Sequence, residues 1–211
     1  MLPPLTDAVA VLGLSLVIST LCMRVLQAQL GAKPKVVWLV ALCFALLWIP
    51  IGPAQLPVVA YVRGITSDLS LTGVLLACLG LWQRIFRLDA MDRREYLALY
   101  GVLASTAVVL YPLALGWGDW DPYRLGWGGF YLWAGLLVVA LVSWLRGFML
   151  LPVLIAFALF GWSAGLMETT NLWDYLIDPW LAVAAFVTSA RYGFAACSNR
   201  YSREKRRVDT P

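Results

Sequence analysis

The chain has 211 residues, a mean hydropathy of +0.78 and only 13% charged residues, whereas a soluble domain has roughly 25%. Sixteen Lys and Arg against twelve Asp and Glu give a formal charge of +4, and histidine is absent from the sequence. This composition excludes a large soluble domain, and the missing histidine excludes an imidazole general base and an imidazole ligand for zinc or haem.

Apolar runs of membrane-spanning length, each of about 20 residues, recur along the whole chain. They predict an all-α fold, a polytopic transmembrane helical bundle of about seven spans. The predicted spans cover residues 5–24, 36–51, 68–86, 96–115, 129–145, 148–167 and 179–196. They form one transmembrane helical domain, residues 1–197, followed by a short basic cytoplasmic tail, residues 198–211.

The first apolar run differs from a signal peptide in its charges. A signal peptide carries positive charge before its apolar region, whereas the first basic residue here, Arg24, follows the run. This order is typical of an uncleaved first span with its N-terminus outside. The second run, residues 36–51, is short and ends in prolines, so a six-span alternative in which it does not cross stays open. That alternative conflicts with the charges of the later loops.

The basic residues predict the orientation. Fourteen of the sixteen lie on one side of the predicted bundle, which the positive-inside rule makes cytoplasmic. The outer side keeps Arg63 and Arg124 among seven acids: Asp7, Asp68, Asp119, Asp121, Glu168, Asp174 and Asp178. The N-terminus is therefore predicted outside and the C-terminus inside, in a bacterial-type inner (plasma) membrane. The basic balance then reflects contact with anionic lipid and is no argument for nucleic acid.

The first outer loop, residues 49–70, begins with prolines at positions 50, 53 and 57, which prevent a regular helix there. The apolar stretch that follows is expected to lie in the membrane interface or to dip into the protein. Asp68 and Ser70 have the positions of cap residues for the third span. Arg63 has no local explanation.

The second outer loop, residues 116–130, combines five glycines with Trp117, Trp120, Tyr123 and Trp127. Its aromatic residues are typical of a belt at headgroup depth. Alternatively, Asp119, Asp121 and Arg124 form a recognition site. The triplet "DWD" also matches the Asp-x-Asp of membrane glycosyltransferases that bind a metal-bound sugar phosphate. Those enzymes are far longer, and no metal site is predicted here.

The third outer segment, "ETTNLWDYLIDPW", holds three carboxylates in eleven residues. Asp178 followed by proline predicts the start of the last span. Asn171 and Asp174 have capping-box spacing, which predicts a short interfacial helix over 172–177 with Trp173 and Tyr175 in the headgroups. Glu168 has no local role. We therefore predict that Arg63 or Arg124 contacts an acid of a different outer loop, with Glu168 or Asp174 as the expected partner.

The predicted spans are nearly free of charge at their centres. Small residues recur at four-residue spacing, as Gly161 and Gly165 in span six and as Ala185, Ser189 and Gly193 in span seven, and this spacing is typical of close helix packing. The four cysteines, Cys22, Cys43, Cys78 and Cys197, are interpreted as packing residues.

These features favour a non-enzymatic subunit or accessory factor of a larger envelope or membrane assembly, with the lipid bilayer and other membrane or periplasmic proteins as partners. One alternative is an enzyme acting on lipid or glycan headgroups at the outer face. Another is a small transporter or substrate-binding subunit, lined by Ser15, Ser19, Thr20, Thr106, Ser143, Ser163 and Ser189. No catalytic residue or cofactor is assigned. The outer-face candidates for binding are Arg63, Asp119, Asp121, Arg124, Glu168 and Asp174.

Overall fold

A computed structural model describes the backbone of residues 4–89 and 91–208 and the side chains of this part up to residue 194. The regular secondary structure of the described chain is helical apart from one small hairpin, which confirms the all-α fold. The helices are α1 (Leu5–Leu30), α2 (Pro34–Leu47), α3 (Val58–Thr66), α4 (Leu71–Phe86), α5 (Arg93–Ala114), a 3-10 helix (Pro122–Trp127), α6 (Phe130–Leu145), α7 (Leu150–Ser163), α8 (Leu172–Leu176) and α9 (Pro179–Val208).

Seven of these helices coincide with the seven predicted spans. Within the described residues, α1 and α5 are long and apolar enough to cross a membrane, with 26 and 22 residues. Four others, α2, α4, α6 and α7, are apolar but have only 14 to 16 residues. A straight crossing of the hydrocarbon core takes about 20 residues, and these four helices are shorter than that. They are also shorter than their predicted spans.

Helix ends follow glycine and proline more closely than charge. The first helix passes Arg24 and continues to Leu30, where Gly31 has a φ of 75°. Proline at the first position of α2 matches the preference for proline at helix starts. Before Pro50 α2 has already ended, and Pro50–Ile51 (β1) pairs antiparallel with Leu56–Pro57 (β2).

The predicted small-residue stripe of span six is wrong in part. Gly161 is buried within α7, and a Cβ there would lie 2.4 Å from Leu71 Cδ2, so α4 and α7 pack closely at this point. Gly165 lies beyond the end of α7 with a φ of 63°. It adopts the left-handed conformation that glycine favours after a helix, and it is not part of a helical face.

The chain divides into two units. The first contains α1–α4 and α6–α8, in which α1 packs on α2, α3 and α4, and α4 packs on α7 and α8. Its core includes the buried residues Met23, Val36 and Val40. The second contains α5 and α9, which pack along each other.

The last helix continues through the predicted tail as far as Val208. Residues 209–211 and the side chains after residue 194, including that of Cys197, lie outside the described part. Cys22, Cys43 and Cys78 are free and half-buried.

Candidate functional site at Arg63

Arg63, in the last turn of α3, gathers three carboxylates from separate parts of the chain. Its Nε and Nη2 donate to Asp68 Oδ1 at 2.5 Å and Oδ2 at 3.1 Å. Its Nη1 donates to Asp7 Oδ1 at 2.6 Å, and Nη2 also donates to Glu168 Oε1 at 3.1 Å. We call these four residues the Arg63 cluster. The contact with Glu168 confirms the prediction of an ion pair between two predicted outer loops.

The backbone after α3 positions Asp68 for this contact. Ser67 has φ 61° and ψ −174°, a backbone conformation that residues other than glycine rarely adopt. Asp68 comes directly after this bend and forms the bidentate pair with Arg63. The prediction that Asp68 caps α4 is therefore wrong, because Arg63 binds its carboxylate. Ser70 alone confirms its predicted capping role, since its Oγ accepts from Gly73 N at 3.1 Å.

One guanidinium against three carboxylates leaves the Arg63 cluster with a formal charge of −2. The Arg63 side chain is only 20% exposed, against 25% for Asp68, 35% for Asp7 and 60% for Glu168. Hydrogen bonding to Asp68 raises the pKa of Arg63 above its usual value, with smaller contributions from Asp7 and Glu168, while partial burial acts in the opposite direction. Because carboxylates occupy most of its N–H groups, Arg63 has little capacity to bind an added phosphate.

A fourth carboxylate, that of Asp178, lies outside the Arg63 cluster and binds the start of α4. Its Oδ2 accepts from Ser70 N at 2.9 Å and from Ser70 Oγ at 2.5 Å, and both residues are buried. The last helix begins at Pro179, directly after it, as predicted. The sequence had no signal for the contact with Ser70, since the two residues are 108 positions apart.

Helix α8 is a buried element rather than the predicted interfacial helix. Tyr175 has 0% exposure and Leu172 1%, so the prediction of Tyr175 in the headgroups is wrong. Its hydroxyl accepts from Met167 N at 3.1 Å, and its carbonyl accepts from Thr72 Oγ1 at 3.2 Å. A tyrosine can be fully buried when its hydroxyl is hydrogen-bonded. Tyr175 is buried because α8 packs against α4 and α7.

Asn171 and Asp174 hold α8 in place. Asn171 Oδ1 accepts from Trp173 N at 2.9 Å, which confirms Asn171 as the cap, and its Nδ2 donates to Tyr123 O at 3.1 Å. Asp174 accepts from Thr169 Oγ1 at 2.6 Å and from the Tyr123 hydroxyl at 2.8 Å. Asn171 N donates to Thr169 Oγ1, so the predicted capping box is completed through Thr169 rather than by Asp174 directly.

The remaining candidates are not part of these contacts. Arg124 is exposed and forms no ion pair with any described residue. Asp119 is exposed and Asp121 half-buried in the loop after α5, which belongs to the second unit. Among the residues described, no group of three His, Cys, Asp or Glu could hold a metal ion.

Sequence reasoning missed the role of Asp7, which lies in the first turn of α1 and completes the Arg63 cluster. Its predicted position on the outer side was the available signal. No protein-family model matches the sequence, no curated protein is significantly similar to it, and no solved structure matches the fold.

Proposed function

We propose that this chain is a non-enzymatic, multi-pass inner-membrane protein that serves as a subunit or accessory factor of a larger envelope assembly. The observation that carries the proposal is that acids on the predicted outer side form contacts between separate segments of the chain. Asp7, Asp68 and Glu168 bind Arg63, and Asp178 binds Ser70. These contacts join the start of α1, the end of α3 and the segment after α7 into one preformed surface, which suits docking of a membrane or periplasmic protein.

The membrane assignment is supported by where apolar side chains lie. On α6, Leu137, Val138, Leu141 and Val142 are 45% to 60% exposed. In α1 and α5, only 33% and 28% of the apolar windows are buried, whereas a core helix of a soluble protein is mostly buried. Large exposed apolar surface is typical of contact with lipid or with another protein. With the asymmetry of basic residues, it favours the seven-span orientation with the N-terminus outside.

Affinity purification of the chain from its native membrane in mild detergent tests the assembly role. We expect a stoichiometric protein partner to copurify with the chain. Ile65→Ala changes an exposed residue in the last turn of α3, beside Arg63, so we expect it to weaken partner recovery while leaving thermal unfolding unchanged. Leu145→Ala, a similarly exposed apolar residue at the end of α6, is the matched control. A monodisperse chain with no partner under any of these conditions would overturn the proposal.

The enzyme alternative keeps one specific observation in its favour. Glu168, Asp7 and Asp68 converge on Arg63 within hydrogen-bond distance, and such convergence is the geometric requirement for carboxylate catalysis on a headgroup. Glu168 is the most exposed of the three, at 60%. Loss of headgroup turnover in Glu168→Gln, with unchanged folding and partner recovery, would favour this alternative.

The transporter alternative is not supported by its expected lining. The hydroxyls of Ser15 and Ser19 donate to carbonyls of their own helix, and Thr20 donates to Leu16 O and Ala77 O. All three side chains are buried, and the bond from Thr20 to Ala77 O joins α1 to α4, so these three residues do not line a polar path.

A further inference from the structure

At the other end of α1 and α4, a cavity of about 330 Å³ opens beside three cations. Arg84 and Arg87 come from the end of α4, Lys33 precedes α2, and Gln27 comes from the last turns of α1. Pro34, Val37, Trp38 and Ile85 form its apolar wall. Val37 and Ile85 in turn pack on the core of Met23, Val36 and Val40, so the wall rests on a fixed part of the first unit.

The two guanidinium groups at this cavity are positioned but not neutralised. Arg84 Nη1 donates to Gln27 Oε1 at 2.9 Å, and Arg87 Nη2 donates to Ala32 O at 3.1 Å. Both acceptors are neutral. Within the described part of the chain, neither arginine nor Lys33 forms an ion pair, and no acid lines the cavity. This differs from Arg63, which is surrounded by carboxylates.

We infer that this cavity binds a phosphate-bearing anion, namely the headgroup of an anionic phospholipid. Planar guanidinium groups suit phosphate oxygens and donate pairs of parallel hydrogen bonds. The cavity also borders the N-terminal end of α2, where the helix dipole adds partial positive charge. The apolar wall, with Trp38 77% exposed beside it, matches the glycerol and upper acyl region of a lipid. Basic pockets between helices on the predicted cytoplasmic side are typical lipid headgroup sites.

Native mass spectrometry of the full chain in mild detergent tests this inference with phosphatidylglycerol and phosphatidylcholine as probes. We expect phosphatidylglycerol to bind at least about tenfold more tightly. Arg84→Gln and Arg87→Gln should each reduce its affinity about tenfold, the loss of one charge-assisted contact. Arg146→Gln is the matched control, since Arg146 is an exposed arginine on the same predicted side but outside the cavity.

Two further arms keep the result unambiguous. Arg84→Lys retains the charge but loses the paired hydrogen bonds of the guanidinium, so it should bind phosphatidylglycerol more tightly than Arg84→Gln and less tightly than the unchanged chain. It also guards against a variant that fails to fold. Addition of inorganic phosphate at millimolar concentration separates the two sources of phosphate. Displacement of the lipid by inorganic phosphate would assign the cavity to a small soluble anion and overturn the lipid assignment. Equal affinity for the two lipids, or equal losses in Arg146→Gln and Arg84→Gln, would overturn the site itself.

Discussion

Arg63 and Glu168 lie 105 residues apart in the sequence, yet Arg63 Nη2 and Glu168 Oε1 are 3.1 Å apart in the folded chain. The pair is the most exposed member of a cluster in which Asp68 and Asp7 hold the same guanidinium more closely. The cluster therefore has a hierarchy, in which Arg63 is shared by all three contacts and Glu168 is the outermost partner.

Removal of Arg63 should destabilise the protein far more than removal of Glu168. Arg63→Gln leaves three neighbouring carboxylates without their cation, and we expect a loss of about 2–3 kcal/mol, between the values for exposed and buried pairs. Glu168→Gln should cost at most about 1 kcal/mol, because this carboxylate is exposed. Thermal unfolding in detergent micelles measures both, and exposed Arg124→Gln serves as control. Equal losses for Arg63→Gln and Arg124→Gln would contradict the cluster.

A charge swap between Arg63 and Glu168 should fail to restore stability. In the double variant Arg63→Glu, Glu168→Arg, the new glutamate lies beside Asp7 and Asp68, which remain in place. Like charges at this distance repel, so we expect the double variant to be no more stable than Arg63→Glu alone. Full recovery, measured by the same unfolding experiment, would mean that Asp7 and Asp68 contribute nothing.

The buried pair of Ser70 and Asp178 should be sensitive to either truncation. Asp178→Ala leaves the Ser70 N–H and hydroxyl without their shared acceptor, and we expect a loss of about 2–4 kcal/mol. Ser70→Ala removes the cap of α4 as well and should cost about 1–3 kcal/mol. Ser163→Ala, at an exposed helix end, should change stability by less than about 0.5 kcal/mol. A loss in Asp178→Ala no larger than in Ser163→Ala would refute the role of this contact.

Gly126 has no room for a side chain. A Cβ at this position would lie 1.7 Å from Asn171 Oδ1, so Gly126→Ala must displace the side chain that caps α8. We expect a loss of at least about 2 kcal/mol from overpacking and broken hydrogen bonds. Gly135→Ala, within α6 and with open space around it, should be neutral or stabilising by up to about 1 kcal/mol. Chemical unfolding of the two variants side by side tests the contrast.

Cys22 and Cys43 provide a direct test of the packing of α1 on α2. Their Sγ atoms are 3.5 Å apart, and a disulfide requires about 2.05 Å, so a mild oxidant should link them after a small movement. We expect mass spectrometry of digested, oxidised protein to find the peptide joining these two cysteines. Cys78→Ser should not reduce its yield. A disulfide of Cys78 with Cys22 or Cys43 that forms in preference to the disulfide between Cys22 and Cys43 would contradict this packing of α1 on α2.

The helices could be predicted from the sequence because apolar runs and their proline and glycine boundaries are local signals. Charge was a weaker guide to helix ends, since α1 continues past Arg24 to a glycine. The pairing of Arg63 with Glu168 could also be predicted, because the sorting of charges placed two cations among seven acids on one side.

Other contacts depend on packing that no local pattern encodes. Asp68 has the spacing of a cap but turns back to Arg63 after the bend at Ser67. Tyr175 has the composition of an interfacial residue but is buried because α8 lies between α4 and α7. The cation-lined cavity near Arg84 required the relative placement of three helices, α1, α2 and α4.

The order of the cluster residues along the chain also sets when each contact can form during synthesis. Asp7, Arg63 and Asp68 all lie in the first third of the chain, so the two closer ion pairs can form before the later helices exist. Glu168 follows one hundred residues after Asp68, a delay of about 5–20 s at ordinary translation rates. For that interval the nascent chain already contains Arg63 with two of its three acids. The last ion pair can form only once the sixth predicted span has been made, which makes Glu168 a late addition to a structure assembled without it.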